Sequence, residues 1–154
     1  ESEAFDIARR LDFEIVSSGW DAIEEGAADG YMHRQGKPGL CLECGSMRYY
    51  KANVSLAERS IYQFLRYFGC IPGSSVDYNN RKQTFVRAKQ VVVKKTDQFF
   101  LAKQYNDFDR LSPGEIIAYD GEDVLRAGED ECIIFPDSSK QIGEEVFVLG
   151  EYTE

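Results

Sequence analysis

Apolar positions recur at two different periods along this chain, and the change from one to the other divides it. Early on, Phe5, Ala8 and Leu11 fall on one face of a helix predicted over residues 2–11, with Ser2 ahead of an acidic first turn. Phe13 to Val16 predicts a short strand, and Asp21 to Ala28 a second helix ended by Gly30. Leu40, Cys41 and Leu42 form a compact apolar run between Pro38-Gly39 and Gly45-Ser46, which predicts a buried strand with Glu43 at its end. The clearest periodicity follows. Val54, Ala57, Ile61, Phe64, Leu65 and Phe68 mark one face of a helix, with Ser55 and Glu58 in capping-box relation. Gly69 ends it and Pro72 forbids its continuation. Each large side chain on that face is worth roughly 1.5–3 kcal/mol if fully buried, so the helix is expected to anchor the first part of the chain.

Pro72-Gly73-Ser74-Ser75 then reads as a linker, and from Thr84 onward the segments are short and β-rich. Phe85 to Lys94, Gln98 to Ala102, Glu115 to Tyr119, Cys132 to Phe135 and Glu145 to Leu149 are the strand candidates. Turn residues separate them at Ser112-Pro113-Gly114, Asp120-Gly121, Gly128 and Pro136-Asp137. The expected architecture is an α/β portion, residues 1–72, followed by a small all-β sandwich or barrel-like domain, residues 73–154.

Composition narrows the function classes. A chain of 154 residues, 43% apolar and with ten Phe and nine Tyr, has enough material for a packed core. A formal charge of -9 argues against nucleic-acid and anionic-membrane partners, since both require a positive footprint. An anionic substrate would need a local Arg or Lys cluster. Four cysteines are too few for a disulfide scaffold and suggest a reducing, cytoplasmic setting. No run reaches the length of a transmembrane helix. The first residues, Glu1-Ser2-Glu3, lack a Met, and the chain reads as cut from something longer.

Glu43 is the leading catalytic candidate, because a carboxylate at the carboxyl end of a strand must reach solvent or be held for a purpose. The bland alternative is a strand-end acid in water or in an ion pair, and short motifs discriminate poorly. Cys41 and Cys44 spell C-x-x-C without a second such pair. In a strand their side chains point to opposite faces, so they read as small buried apolar residues rather than metal or redox ligands. The one histidine, His33, lacks companions and reads as a surface group. Glu122-Asp123 and Glu129-Asp130-Glu131 lack calcium-loop spacing and read as solvated turns. Arg87, Lys89, Lys94 and Lys95 read as the wet side of a strand, or as a positive field for an acidic substrate.

Pro38-Gly39-Leu40-Cys41-Leu42-Glu43-Cys44-Gly45, then a helix ending in Phe64-Leu65-Arg66-Tyr67-Phe68-Gly69, resembles the succinylglutamate desuccinylase/aspartoacylase family. So do Phe108, Leu111, Pro113-Gly114-Glu115-Ile116-Ile117-Ala118, Asp120-Gly121, Ala127, Asp130 and Ile133-Ile134-Phe135-Pro136. The resemblance implies the closing part of a zinc-carboxypeptidase-like mixed-sheet domain, then a β-domain. It also implies hydrolysis of the amide of an N-acylated, acidic amino acid such as N-succinylglutamate or N-acetylaspartate. By the same resemblance Glu43 is general base and proton shuttle, and Arg34, with Tyr31, contacts the substrate carboxylate through an arginine fork. The family holds zinc with His-x-x-Glu and a later His, and none of these ligands is present. The chain is therefore expected to be a C-terminal portion, inactive alone, whose partner is the missing N-terminal half; homo-oligomer formation is left open. The rival reading is a non-catalytic binding or regulatory module that keeps the fold without the metal.

Overall fold

The structure, a computed structural model, describes residues 2–45, 50–74 and 82–153. It divides into two compact units, residues 1–16 with 24–84, and residues 17–23 with 85–154. Ser75, the last residue of the expected linker, lies outside the described residues.

In the first unit α1 (Ser2–Ala8) buries Ile7 and Ala8, with Leu11 just beyond its end. Gln83, far along the chain, donates from Nε2 to the carbonyls of Ala8, Leu11 and Phe13 around the end of α1, where Ala8 O also accepts Leu11 N–H at 3.1 Å. The strand expected over 13–16 is β1 (Ile15–Ser18), displaced by two residues. The helix expected over 21–28 does not form. A 3-10 turn (Trp20–Ala22) and then α2 (Ala28–Arg34) stand there instead. Gly30, read as a helix stop, is instead inside α2 and buried.

The long helix is α3 (Lys51–Tyr67). Its end follows the sequence: Gly69 is left-handed at φ 67°, Cys70 N–H donates to Leu65 O and Gly69 N–H to Arg66 O. That is the Schellman arrangement, which glycine adopts without a Cβ penalty. Its start does not follow the sequence. Tyr50 is the N-cap without a side-chain hydrogen bond, and Ser55 and Glu58 lie inside the helix, so no capping box forms. The expected burial holds only in part, with Ala57, Phe64 and Leu65 half-buried. Val54, Ile61 and Phe68 are exposed, whereas Ser60 and Gln63 are the buried residues of the helix. Ser60 can be buried because its hydroxyl donates to Leu56 O at 2.8 Å.

The second unit is an antiparallel two-sheet structure. Its strands are β2 (Thr84–Val93), β3 (Phe100–Leu101), β4 (Asp109–Arg110), β5 (Ile116–Asp120), β6 (Asp123–Arg126), β7 (Glu131–Ile134) and β8 (Glu145–Thr153). One sheet has the order β1-β2-β8-β7-β4 and the other β3-β5-β6. Five of these strands match the sequence expectation, with β8 four residues longer; β4 and β6 are additional. β4 is only two residues long and β6 alternates poorly, which leaves no period to read.

In β7 and β8 the two faces are buried differently. Ile133, Phe147 and Leu149 join Phe99, Tyr105, Leu111, Ile117 and Val146 in one apolar cluster. On the opposite face Ile134 and Val148 are fully buried, and Val86 is 1% exposed. Gly150 is required there: a Cβ would come within 2.9 Å of both Ile134 Cδ1 and Val86 Cγ1. Towards the strand ends the cluster face turns ionic. Arg87 pairs with Glu151, and Lys89 bridges Glu131 at 3.3 Å and Glu151 at 3.4 Å. Glu131 is therefore not part of a solvated turn; it is buried and accepts Gly128 N–H at 2.7 Å.

Asp120 closes the β5–β6 hairpin, whose tight turn needs Gly121 at φ 63°. Its carboxylate accepts Lys95 N–H at 2.7 Å, Thr96 N–H at 2.8 Å and the Thr96 hydroxyl at 2.6 Å. Burial by itself would raise its pKa; the Thr96 hydroxyl, the two N–H donors and the Lys95 charge outweigh it, and the net direction is downward. A carboxylate depressed in the folded state stabilises at pH values above its unfolded pKa, and the contribution is lost as pH falls through the folded value. Asp120→Asn is expected to cost about 1–3 kcal/mol at neutral pH. It should also flatten the loss of stability on acidification below about pH 4, measured by urea unfolding across pH. An unchanged acid limb would remove Asp120 as its source.

Candidate functional site

Glu43 does not end a strand. Residues 38–45 belong to no helix or strand, Cys41 and Glu43 are exposed, and Leu40 and Leu42 are half-buried. An apolar run becomes a strand only where a neighbour completes its ladder of N–H and C=O groups, and the described residues provide none here.

Two glycines fix this segment. At Gly39 a Cβ would sit 2.8 Å from Asp29 Cα and from Asp29 O, so the backbone lies directly against α2. At Gly45, φ 95°, a Cβ would come 2.3 Å from Asn53 Nδ2 in α3. Residues 40–44 therefore run from a contact on α2 to one on α3, and any side chain at either glycine would push the segment off its support.

Within the segment Cys41 Sγ donates to Glu43 Oε1 at 3.4 Å. Burial, then that hydrogen bond and the Glu43 charge, with further contributions from Asp29 and Glu24, push the Cys41 thiol above its ordinary range. Burial and then Glu43 act on Cys44 in the same direction. Both thiols are thus held protonated at neutral pH, the opposite of what metal binding or redox exchange requires. The reading of the cysteines as buried apolar residues is corrected. Cys132 is buried, Cys44 is half-buried, and Cys41 and Cys70 are exposed. The geometric reason given against a shared role for Cys41 and Cys44 falls with the strand. The thiol chemistry argues against that role instead.

Tyr31 and Arg34 both lie on α2, the helix against which Gly39 packs. Tyr31 is 57% exposed. Arg34 Nη2 donates to Glu25 O at 3.0 Å, which anchors the guanidinium to the loop before α2 and leaves further N–H donors on the fork. His33 is exposed in the last turn of the same helix. No group of three or more His, Cys, Asp or Glu among the described residues is arranged to hold a metal ion. The donors present therefore do not fit a zinc centre.

The second unit carries an open cavity of about 970 Å³, lined by Tyr105, Asn106, Asp107, Phe135, Pro136, Asp137, Lys140, Glu144 and Glu145. Glu43, Arg34 and Tyr31 take no part in it. Its acids are occupied locally: Asp107 accepts Phe135 N–H at 2.7 Å, and Asp137 accepts both Ser139 N–H and its hydroxyl. Sequence reading missed two features. The Cys41–Glu43 contact is signalled only by a spacing of two residues, and the clamping of residue 83 onto α1 has no local signal.

These features define a chain of two kinds: a helical segment presenting an exposed carboxylate beside an arginine-bearing helix, then an antiparallel β-sandwich. Residues 82–149 match the family model of the AstE/AspA barrel-sandwich hybrid domain, and the resemblance read from the sequence is borne out there. A search of curated proteins finds no match. Among solved structures the chain is similar to succinylglutamate desuccinylase from Vibrio parahaemolyticus, at 14% identity and TM-score 0.66, covering 99% of this chain and 45% of that one. The desuccinylase from Vibrio cholerae gives 16% identity and TM-score 0.62, with 97% and 44% covered. That from Chromobacterium violaceum gives 19%, TM-score 0.62, and 100% and 46%. At these identities the likeness establishes the fold, which is the expected α/β portion followed by a small all-β domain. The chain spans less than half the length of each of these structures. No helix among the described residues is long and apolar enough to cross a membrane.

Proposed function

We propose that this chain is the C-terminal portion of a zinc-dependent deacylase that hydrolyses the amide of an N-acylated acidic amino acid, with N-succinylglutamate or N-acetylaspartate as the substrate type, in the cytoplasm. The observation that carries the reading is the match of residues 82–149 to the AstE/AspA domain. The likeness of nearly the whole chain to three desuccinylases supports it. The metal ligands would come from polypeptide outside this chain, since its own described residues do not supply them.

The chain's own residues have definable tasks. Glu43 takes the proton from the attacking water and delivers it to the leaving amine nitrogen, which converts a poor amide leaving group into a neutral amine. Its carboxylate is accessible, and Cys41 holds one oxygen. Arg34 receives the substrate carboxylate on its remaining N–H donors, and Tyr31 closes the same side. An acidic chain needs such a cation, because its overall field repels the substrate.

Assays on N-succinylglutamate and N-acetylaspartate, with the protein of the complete reading frame and with this chain alone, test the proposal. The complete protein should turn over one of them and this chain neither. Arg34→Ala in the complete protein should raise KM roughly tenfold or more, as loss of a charged hydrogen-bond pair does. A KM equal to wild type would take Arg34 out of the site, and turnover by the isolated chain would defeat the partial-enzyme reading. A complete protein that turns over neither substrate would select the second reading, a non-catalytic module.

A further inference from the structure

A glutamate on an exposed loop swings about its side-chain bonds, so the position of its carboxylate has to be fixed by a neighbour. The backbone under Glu43 is already fixed, since Gly39 lies against Asp29 and Gly45 against Asn53. The side chain is fixed at one point. The Cys41 thiol, two residues back, donates to Oε1 at 3.4 Å, and among the described residues no ion pair joins the carboxylate. The kind of donor matters. A Lys or Arg in that place would hold the carboxylate more firmly but would also neutralise it, and a carboxylate in an ion pair accepts a proton less readily. A thiol is uncharged and a weak donor, so it orients without neutralising. It must keep its own proton to do so. Burial, the hydrogen bond to Glu43 and the charges of Glu43, Asp29 and Glu24 hold that proton in place.

We propose that Cys41 is a positioning residue for Glu43, a role that rests on the deacylase reading for its reaction and on the loop for its geometry. The S–H fixes Oε1 and leaves Oε2 as the oxygen that takes the proton of the attacking water. Cys41 gives up nothing during turnover. Its proton stays on sulfur while Oε2 receives one from water and passes it to the leaving amine nitrogen as the amide C–N bond breaks. Proton transfer of this kind works best when the base is held to within about 0.5 Å. Without the thiol the carboxylate spreads over several staggered conformers, and only some of them face the water. The contacts given to the substrate, through Arg34 and Tyr31, do not involve the thiol. Loss of the thiol therefore acts on the chemical step and not on substrate binding.

The kinetic experiment uses the complete protein and whichever of the two substrates it prefers. Cys41→Ala should lower kcat about tenfold with KM unchanged. Cys41→Ser restores an O–H donor and should recover most of that loss. Because Cys41 is exposed, both variants should melt with the wild type. A second measurement needs no turnover and uses this chain: alkylation of Cys41 by iodoacetamide at about pH 8, followed by peptide mass spectrometry with Cys70 as internal reference. Glu43→Gln removes the charge that helps keep the thiol protonated, so Cys41 should react about threefold faster or more. Three results would overturn the positioning role: a Cys41→Ala kcat within about twofold of wild type, Cys41→Ser as slow as Cys41→Ala, or alkylation indifferent to Glu43→Gln. A complete protein inactive on both substrates is a different failure. It defeats the deacylase reading and the positioning role with it, and an alkylation response then reports the contact alone.

Discussion

Glu43→Gln in the complete protein should lower kcat by about 10²–10⁴-fold with KM nearly unchanged, a loss of about 3–5 kcal/mol in transition-state stabilisation. Glutamine keeps the size and hydrogen-bonding capacity of the side chain but cannot accept a proton from water. The ground-state complex should therefore form normally while the proton transfer fails. Because Glu43 is exposed and its supporting glycines lie on either side, the substitution should not disturb the fold. Gly39→Ala provides the contrast. Its Cβ has no room beside Asp29, so it should displace the segment and damage kcat through position rather than chemistry. Steady-state kinetics on the preferred substrate decide the matter. A kcat within threefold of wild type would leave Glu43 an ordinary surface acid.

Phe147→Ala should destabilise the second unit by about 3–5 kcal/mol. Phe147 is fully buried in the middle of β8, in the cluster with Ile117, Ile133 and Leu149, and truncation leaves a cavity that a two-sided β-core cannot collapse to fill. For a unit of this size each kcal/mol moves Tm by about 4–8 °C, so the transition should fall by more than 10 °C or vanish. Ile61→Ala removes a side chain of comparable apolar character from α3 and should change stability by no more than about 0.5 kcal/mol, since Ile61 already faces solvent. Differential scanning calorimetry of the two variants compares them directly. Similar losses would mean that α3 is packed through the face described here as open.

The β-half was legible because its signals are local. The alternation of Val86 to Lys89, the short apolar run Val146 to Leu149, and glycine at Asp120-Gly121 are features of a strand's pleat, a fully buried strand and the left-handed backbone of a turn. The C-terminus of α3 was legible for the same reason: the left-handed residue that ends a helix is most readily glycine, and Gly69 takes it. Where reading failed, the deciding contacts were distant in sequence. Leu40 to Glu43 has the composition of a strand, but among the described residues no neighbouring strand pairs with it. The buried side of α3 was assigned to its apolar face, whereas its fully buried residues are the polar Ser60 and Gln63.

The candidate site was half legible. Its residue types, one acid after an apolar run and one arginine before it, were readable, but their support was not. Gly39 against Asp29, Gly45 against Asn53 and Cys41 on Glu43 are contacts of shape, set by backbone approach rather than by composition.

By itself the sequence determined the two-part character of the chain, most of its second-unit strands, the end of α3 and the family resemblance, because periodicity and turn chemistry act over a few residues. Only the tertiary structure decided that α3 leaves Val54, Ile61 and Phe68 exposed, that Glu43 stands on a loop between two helices, and that Gln83 caps α1. Burial and hydrogen-bond completion depend on which surfaces meet in space, and those meetings join residues that no local pattern connects.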